Sequence, residues 1–229
     1  MIVACSSLVL GGAMGCAPAV RSLRGEPTGA VLPETALDAR PHQLRFGWRY
    51  ADETFEARGD GVVRVLAPDR ARLDFFLANG MAGGYAVLIG DTLSIPGIDL
   101  VRRLLPPPPL LWASLGQVRL PVTPDTAARR YADSLRADFG SLRGRDAASA
   151  EGQAWRILFV GRALAQVEHI DGGRLVEQVV RRQADGQWQV QYLHPRAKRR
   201  LEITVTDTAF VERFDEAIWR RVSPRDQEP

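Results

Sequence analysis

Histidine is the side chain best suited to acid–base or metal chemistry near neutral pH. The sequence has three, His42, His169 and His194, which lie far apart, each inside or beside a segment with strand character. No pair of them has the spacing of metal ligands. A Gly-x-Ser-x-Gly elbow, a phosphate-binding loop and a dinucleotide fingerprint are also absent from the sequence. We therefore expect no metal site and no cofactor.

The carboxylates do not suggest catalysis either. Glu168, Asp171 and Glu177 occupy strand and turn positions, where solvated charge is expected. We predict that the protein is not an enzyme. An enzyme is kept as a weaker alternative, which a cluster of carboxylates and histidine inside a cavity would favour.

The cysteines suggest a different chemistry, covalent lipidation. Cys5 and Cys16 both precede the segments with strand character, which argues against a disulfide framework in the folded domain. Residues 1–15 (MIVACSSLVLGGAMG) carry no charge and end in small residues, as secretory signals do. Residues 13–16 (AMGC) resemble the lipobox of bacterial lipoproteins, whose cysteine is diacylated before the peptide bond preceding it is cut.

This N-terminal pattern predicts three regions: a signal peptide over residues 1–15, a lipid anchor on Cys16 that enters the membrane, and a flexible tether over residues 16–41. The alternative is an uncleaved segment that is buried as a strand or helix and ends in an ordinary cysteine. Ala17 replaces the Asp that retains some lipoproteins in the inner membrane. The expected location is therefore the bacterial envelope, at the outer membrane and facing the periplasm.

Composition is that of a globular domain, with 45% apolar and 25% charged residues and a net charge of +3. The charges alternate in sign along the strands, so we predict no nucleic-acid partner. The exception is residues 196–200 (RAKRR), which are either a solvated hairpin turn or a contact for phosphate or a headgroup. The sequence identifies no protein partner.

From His42 onward the pattern is that of short antiparallel strands. Leu44, Phe46, Trp48 and Tyr50 alternate with polar or small residues and share one face. Residues 125–131 (DTAARRY) predict a helix. Residues 42–222 are expected to form a single domain, followed by a disordered tail over residues 223–229. Further predicted strands are 54–58, 62–66, 70–78, 84–89, 92–95, 134–142, 154–160, 163–170, 174–183, 188–193 and 201–206.

A proline-rich apolar segment, residues 98–120 (IDLVRRLLPPPPLLWASLGQVRL), separates the two runs of strands. It predicts a helix over 99–105, an extended bridge over 106–109 and a second helix over 110–115 that ends at Gly116. This insertion either lines a cavity as a wall or lid, or completes a filled core. The candidate wall and lid residues are Phe46, Trp48, Phe75, Leu111, Trp112, Trp155 and Trp188.

Residues 61–74 (GVVRVLAPDRARLD) and 90–96 (GDTLSIP), together with a helical insertion between two meanders, resemble the LolA/LolB-type lipoprotein-localisation fold. The resemblance covers roughly residues 43–219. It implies a mainly β protein: a curved antiparallel sheet, or incomplete β-barrel, of about 11 strands wrapped around helices. It also implies an apolar cavity that receives acyl chains.

The leading hypothesis is a lipid-anchored envelope protein that binds an acyl chain, a lipid or a lipoprotein in an apolar half-barrel. The alternative is a non-catalytic assembly or interaction module with a filled barrel. A continuous cavity would favour the first hypothesis, and dense packing around Leu111 and Trp112 would favour the second.

Overall fold

The computed structural model describes residues 24–78, 82–96, 99–121, 126–140 and 153–220. Within these residues the chain forms strands, two short α-helices and two 3₁₀ turns, Pro195–Ala197 and Glu216–Trp219. No helix among them is long and apolar enough to cross a membrane. The strands are β1 (Glu26–Pro27), β2 (His42–Ala51), β3 (Glu56–Leu66), β4 (Arg70–Leu77), β5 (Ala82–Ile89), β6 (Thr92–Ser94), β7 (Thr126–Tyr131), β8 (Ser134–Phe139), β9 (Gln153–Val160), β10 (Ala163–Asp171), β11 (Arg174–Ala184), β12 (Gln187–His194) and β13 (Arg199–Phe210). The helices are α1 (Asp99–Leu104) and α2 (Pro108–Ser114).

All these strands belong to one curved, open antiparallel sheet. Its order is β1-β7-β8-β9-β10-β11-β12-β13-β2-β3-β4-β5-β6, so the last strand of the second meander pairs with β2. The helices follow β6 and precede β7, between the two meanders. This is the architecture that the LolA/LolB resemblance implied, and the predicted fold is confirmed.

The inner face of the sheet carries the core. In β9, for example, Trp155, Ile157 and Phe159 alternate with residues of the outer face and are almost fully buried. Helix α2 packs on β10, β11 and β12, and α1 packs on β5. The insertion therefore fills the concave side of the sheet, where residues of both meanders form one hydrophobic cluster.

Strand β3 corrects one prediction. The glycines at 59 and 61 suggested a turn between two strands, but both lie inside a single strand that pairs with β2 and β4. A Cβ on Gly61 would come within 2.3 Å of the Phe46 ring, and one on Gly59 within 1.8 Å of the Phe76 carbonyl oxygen. These glycines allow close approach of neighbouring groups, which is the other role of glycine in strands.

Strand β7 corrects a second prediction, because residues 126–131 were expected to be helical. Alanine and arginine favour a helix locally, but six residues are too few to be stable as a helix without extensive packing. Pairing with β8 and β1 supplies backbone hydrogen bonds on both sides instead. Together with β1, this strand raises the number of strands above the predicted eleven or so.

In the insertion, the two predicted helices are confirmed, but the proline bridge is shorter than expected. Pro108 and Pro109 occupy the first turn of α2, where a missing N–H costs nothing and a fixed φ suits the helix. Pro107 is extended and precedes the helix. Only two of the four prolines therefore bridge α1 and α2.

Part of the segment predicted to be a tether packs on the domain. Glu26 and Pro27 pair with β7, and the side chains of Leu32 and Leu37 contact the core. The hydroxyl of Thr35 accepts a hydrogen bond from the backbone N–H of Val118 at 2.9 Å. Residues 24–41 thus contribute to the folded domain.

The basic run at 196–200 forms a hairpin between β12 and β13, as one of the two interpretations predicted. A 3₁₀ turn covers Pro195–Ala197, and Lys198 follows in the left-handed conformation. Lys198 pairs with Glu53, and Arg200 pairs with Glu202. Several predicted features fall outside the described residues: Cys16 with the signal peptide, the first part of the tether and the C-terminal tail.

Candidate ligand-binding site

Six of the seven candidate wall residues lie together on the inner face. They come from three strands and from α2, and each is at most 4% exposed. The seventh, Trp188, is half-buried at the start of β12 and lies outside the cluster. The six residues are Phe46, Trp48, Phe75, Leu111, Trp112 and Trp155.

Three of these rings form a compact aromatic group on β2 and β4. The Phe75 ring lies edge-on to Phe46 and Trp48, with centroid distances of 5.6 and 5.8 Å. Such geometries are the favourable ones for aromatic pairs. The indole N–H of Trp48 donates to the carbonyl oxygen of Asp60 at 2.9 Å, so this ring is satisfied without a ligand.

Helix α2 covers the inner face with Leu110, Leu111 and Trp112, all at most 2% exposed. The indole N–H of Trp112 donates to the carbonyl oxygen of Gly90 at 2.8 Å. This bond joins α2 to the turn between β5 and β6, so the helix is held in a definite position. In this structure α2 occupies the space that an apolar ligand would need.

Polar side chains also lie on the inner face, and they correct the sequence analysis. Glu177 was expected to be solvated, but it is 7% exposed and in phase with the buried Val179. It accepts hydrogen bonds from the Tyr192 hydroxyl at 2.8 Å and pairs with His169 Nδ1 at 3.2 Å. The in-phase position of Glu177 was the sequence signal that could have revealed this burial.

The His169 ring stacks on Trp155 at 4.5 Å between centroids. Trp155 Nε1 and His169 Nε2 are both buried without a hydrogen-bond partner in the described structure. Burial raises the pKa of Tyr192, with the nearby Glu177 carboxylate as a further cause. The cluster therefore leaves two buried nitrogens without a hydrogen-bond partner.

Both Glu177 oxygens already have partners, and the free nitrogen of His169 lies buried beside the Trp155 ring. No group of three metal-ligating side chains occurs in the parts of the chain that the structure describes.

At the end of the half-barrel near α1, a second polar group ties the insertion to the sheet. Asp52 accepts hydrogen bonds from the Tyr50 hydroxyl at 2.8 Å and from Arg103 at 2.7 Å. Its pKa is lowered, chiefly by the backbone N–H of Thr54. Burial raises the pKa of Tyr50 to about 12.

Trp188 has a different environment from the other candidates. The Arg181 guanidinium lies 4.5 Å from its ring centroid, a cation–π contact. Arg181 is desolvated, which lowers its pKa to about 10, and its Nε is buried without a partner. Trp188 thus shields a cation at the edge of the inner face rather than forming part of the aromatic wall.

The outer face carries open grooves. One of about 470 Å³ has Gly47 as part of its lining, with Arg49, Arg58 and Asp60 around it. A second, of about 290 Å³, continues along β11, β12 and β13 beside Arg182 and Glu202. Of the six clustered candidates only Trp48 borders either groove, so neither is the predicted acyl cavity.

No protein-family model and no curated protein matches this sequence. Solved structures with similar architecture include a DUF1329 family protein from Desulfovibrio piger, with a TM-score of 0.52, 10% identity and coverage of 80% of this chain and 90% of that one. A LolA superfamily protein from Nitrosomonas europaea has a TM-score of 0.49 and 12% identity, with coverage of 81% of this chain and 92% of that one. A domain from Vibrio parahaemolyticus, assigned to outer membrane lipoprotein sorting, has a TM-score of 0.49 and 8% identity, with coverage of 81% of this chain and 91% of that one. At such identities the DUF1329 structure shows a shared fold and nothing about activity.

Proposed function

We propose that this chain is a lipid-anchored protein of the bacterial envelope whose half-barrel binds the acyl chain of a lipid or lipoprotein without catalysing a reaction. The observation that carries the proposal is the inner face, where aromatic and aliphatic side chains of both meanders form one continuous apolar surface. A short helical insertion, rather than a second sheet, covers it.

The cover is of a kind that an acyl chain can replace. Helix α2 has seven residues, too few to be stable without its contacts to the sheet. An acyl chain that took the place of Leu110 and Leu111 would keep the inner face out of water. The exchange would expose Leu110 and Leu111 to water, at about 1.5–3 kcal/mol for each side chain, so the acyl chain must bury a comparable apolar area to offset it.

The two unsatisfied nitrogens add polarity at a defined place. Trp155 Nε1 can donate a hydrogen bond, and His169 Nε2 can donate or accept one, depending on its protonation. An ester carbonyl or a carboxyl group at the head of an acyl chain could satisfy them. Apolar pockets with a few polar groups are typical of small-molecule sites.

A filled interaction module is the second candidate, and a specific observation favours it. Trp112 is fully buried and hydrogen-bonded to Gly90, so the insertion completes a dense core without a ligand. In that case the outer grooves beside Arg49 and Arg58 would be the surfaces open to partners.

Native mass spectrometry and lipid extraction of the full chain with Cys16→Ser distinguish the two candidates. The acyl-binding proposal predicts co-purified lipid and quenching of tryptophan fluorescence by a brominated fatty acid. Replacing Trp155 by Phe should remove much of that quenching, and the control Trp188→Phe should remove little. A lipid-free protein whose fluorescence does not respond to the fatty acid would favour the filled module.

A further inference from the structure

Exposed apolar side chains gather at one end of the half-barrel. Because neighbouring strands are antiparallel, the β7–β8 and β9–β10 hairpins and the last residue of β13 lie at the same end. We call this end the hairpin rim and define it by residues 131–133, 160–162 and 210. Tyr131 is 68% exposed, Val160 44% and Phe210 49%.

Two of these residues lie on the same face of the sheet, with one strand between them. Tyr131 pairs with Ser134, and Ser134 pairs with Val160, so the two apolar side chains stand on strands either side of β8. Exposed arginines, Arg130 and Arg162, flank them. The large exposed apolar residues away from this rim are Val31 and Phe76, among the residues that the structure describes.

The chain enters the fold at the same rim. Glu26 pairs with Arg130, next to Tyr131, and Gly25 precedes it. The Gly25 carbonyl accepts a hydrogen bond from Arg129 at 2.8 Å. Gly25 has a φ of +105°, and a Cβ there would lie 2.3 Å from the Arg130 carbonyl oxygen, so this entry point requires glycine.

An anchor on Cys16 would lie within a short length of chain from the rim. Gly25 follows Cys16 by nine residues, which span at most about 32 Å when fully extended. Acyl chains on Cys16 would keep the rim close to the bilayer, so that even a weak contact between the rim and the bilayer would form often.

We propose that the hairpin rim rests on the lipid bilayer, with Tyr131 and Val160 at the boundary between headgroups and acyl chains. Tyrosine suits this boundary because its ring is apolar and its hydroxyl is polar. Arg130 and Arg162 would lie near the lipid phosphates. The proposal uses the Cys16 anchor of the proposed function but does not depend on a ligand in the half-barrel.

This orientation would also put an entrance for an acyl chain next to the bilayer. Trp188 near the start of β12 and the Gly90 turn that holds Trp112 lie at the same end of the sheet. An acyl chain that left the bilayer would reach the inner face between them.

The test uses the full chain with Cys16→Ser and co-sedimentation with vesicles of phosphatidylethanolamine and phosphatidylglycerol. The double variant Tyr131→Ser/Val160→Ser should bind at least about tenfold more weakly. Phe76→Ser removes a residue of similar exposure near the opposite end of the sheet and should stay within about twofold of the parent. The parent and the variants all keep residues 1–15, so a difference in vesicle binding between them is due to the hairpin rim.

A second readout covers the case in which residues 1–15 dominate vesicle binding. Lipids brominated on the acyl chain should quench the tryptophan fluorescence of a Tyr131→Trp variant more than that of the parent. They should quench the fluorescence of a Phe76→Trp variant no more than that of the parent. Equal quenching of the two variants would overturn the rim contact. The double variant should bind fatty acid as well as the parent does. If neither protein binds fatty acid but the double variant still binds vesicles more weakly, the rim proposal is supported and only the proposed function fails.

Discussion

Tyr192 donates its hydroxyl hydrogen to Glu177 Oε2 at 2.8 Å, on the inner face of a sheet whose other contacts there are largely apolar. A buried carboxylate depends on such partners, because desolvation of its charge is otherwise uncompensated. Tyr192→Phe should therefore lower the free energy of unfolding by about 1–3 kcal/mol. Denaturant unfolding measures the change.

Tyr85→Phe is the matched control for this prediction. Tyr85 lies half-buried on β5, and Arg72 packs over its ring at 4.2 Å. Its hydroxyl makes no hydrogen bond within the described part of the chain, so the variant should stay within about 0.5 kcal/mol of the parent. Equal effects of the two substitutions would mean that the Glu177 bond contributes nothing.

Glu168 gives a prediction about pH. Burial raises the pKa of this carboxyl, against the opposing charge of Arg156. The folded state thus favours the protonated form. The stabilising effect of protonated Glu168 is complete below the pKa of a glutamate in the unfolded chain, near 4.3. It is lost as the pH rises through the pKa that Glu168 has in the folded protein. Glu168→Gln removes this loss, so the variant should gain stability relative to the parent between pH 4 and pH 8.

Thermal unfolding at several pH values measures that difference, with Asp171→Asn, at an exposed position on the same strand, as the control. This control shows how much of the change comes from removing a negative charge from β10 alone. A Glu168 variant whose relative stability falls with rising pH would contradict the assigned direction of the pKa shift.

Two glycines of neighbouring strands should respond in opposite ways to alanine. A Cβ on Gly61 would meet the Phe46 ring at 2.3 Å and the Asp74 carbonyl oxygen at 2.9 Å, so Gly61→Ala should cost about 1–3 kcal/mol through overpacking. A Cβ on Gly47 would meet only Asp60 Oδ1, at 3.9 Å. Gly47→Ala should be neutral or stabilise by up to about 1 kcal/mol. If Gly61→Ala is tolerated as well as Gly47→Ala, the close packing described for β3 is wrong.

Trp112 should be the most sensitive residue of the insertion. Trp112→Ala removes a fully buried ring and should cost about 3–5 kcal/mol. Trp112→Phe keeps most of the volume but leaves the Gly90 carbonyl oxygen without this donor, at a cost of about 1–3 kcal/mol. Trp188→Ala, at a half-buried position near the start of β12, should cost about 1–2 kcal/mol. Chemical denaturation should give this order, and a Trp188 effect as large as that of Trp112→Ala would contradict the packing described for α2.

The sequence predicted the parts of the fold that depend on local pattern. Alternation on β2 and β9 identified the buried aromatic residues, because a strand with one covered face must alternate. β7 was missed because its residues favour a helix locally and only the pairing with β1 and β8 makes them a strand. The partner β1 is distant in sequence, and the neighbouring β8 can pair with β7 only when residues 126–131 are extended rather than helical.

The polar part of the site was missed for a related reason. Glu177 shares a face with Val179, but its hydrogen-bond donors come from β10 and β12. Without those partners a carboxylate in a strand is expected to be solvated. Trp188 was grouped with the wall because of its phase in β12, whereas its position near the start of the strand places it beside Arg181.

Photocrosslinking with a diazirine-bearing fatty acid, followed by peptide mapping, tests the central claim most directly. The proposed function predicts labels on inner-face peptides of β9 to β12 and on α2, near Trp155 and Trp112, with competition by unlabelled fatty acid. Labels confined to the outer grooves around Arg49 and Arg58, or labelling that excess fatty acid does not reduce, would contradict an acyl-binding half-barrel.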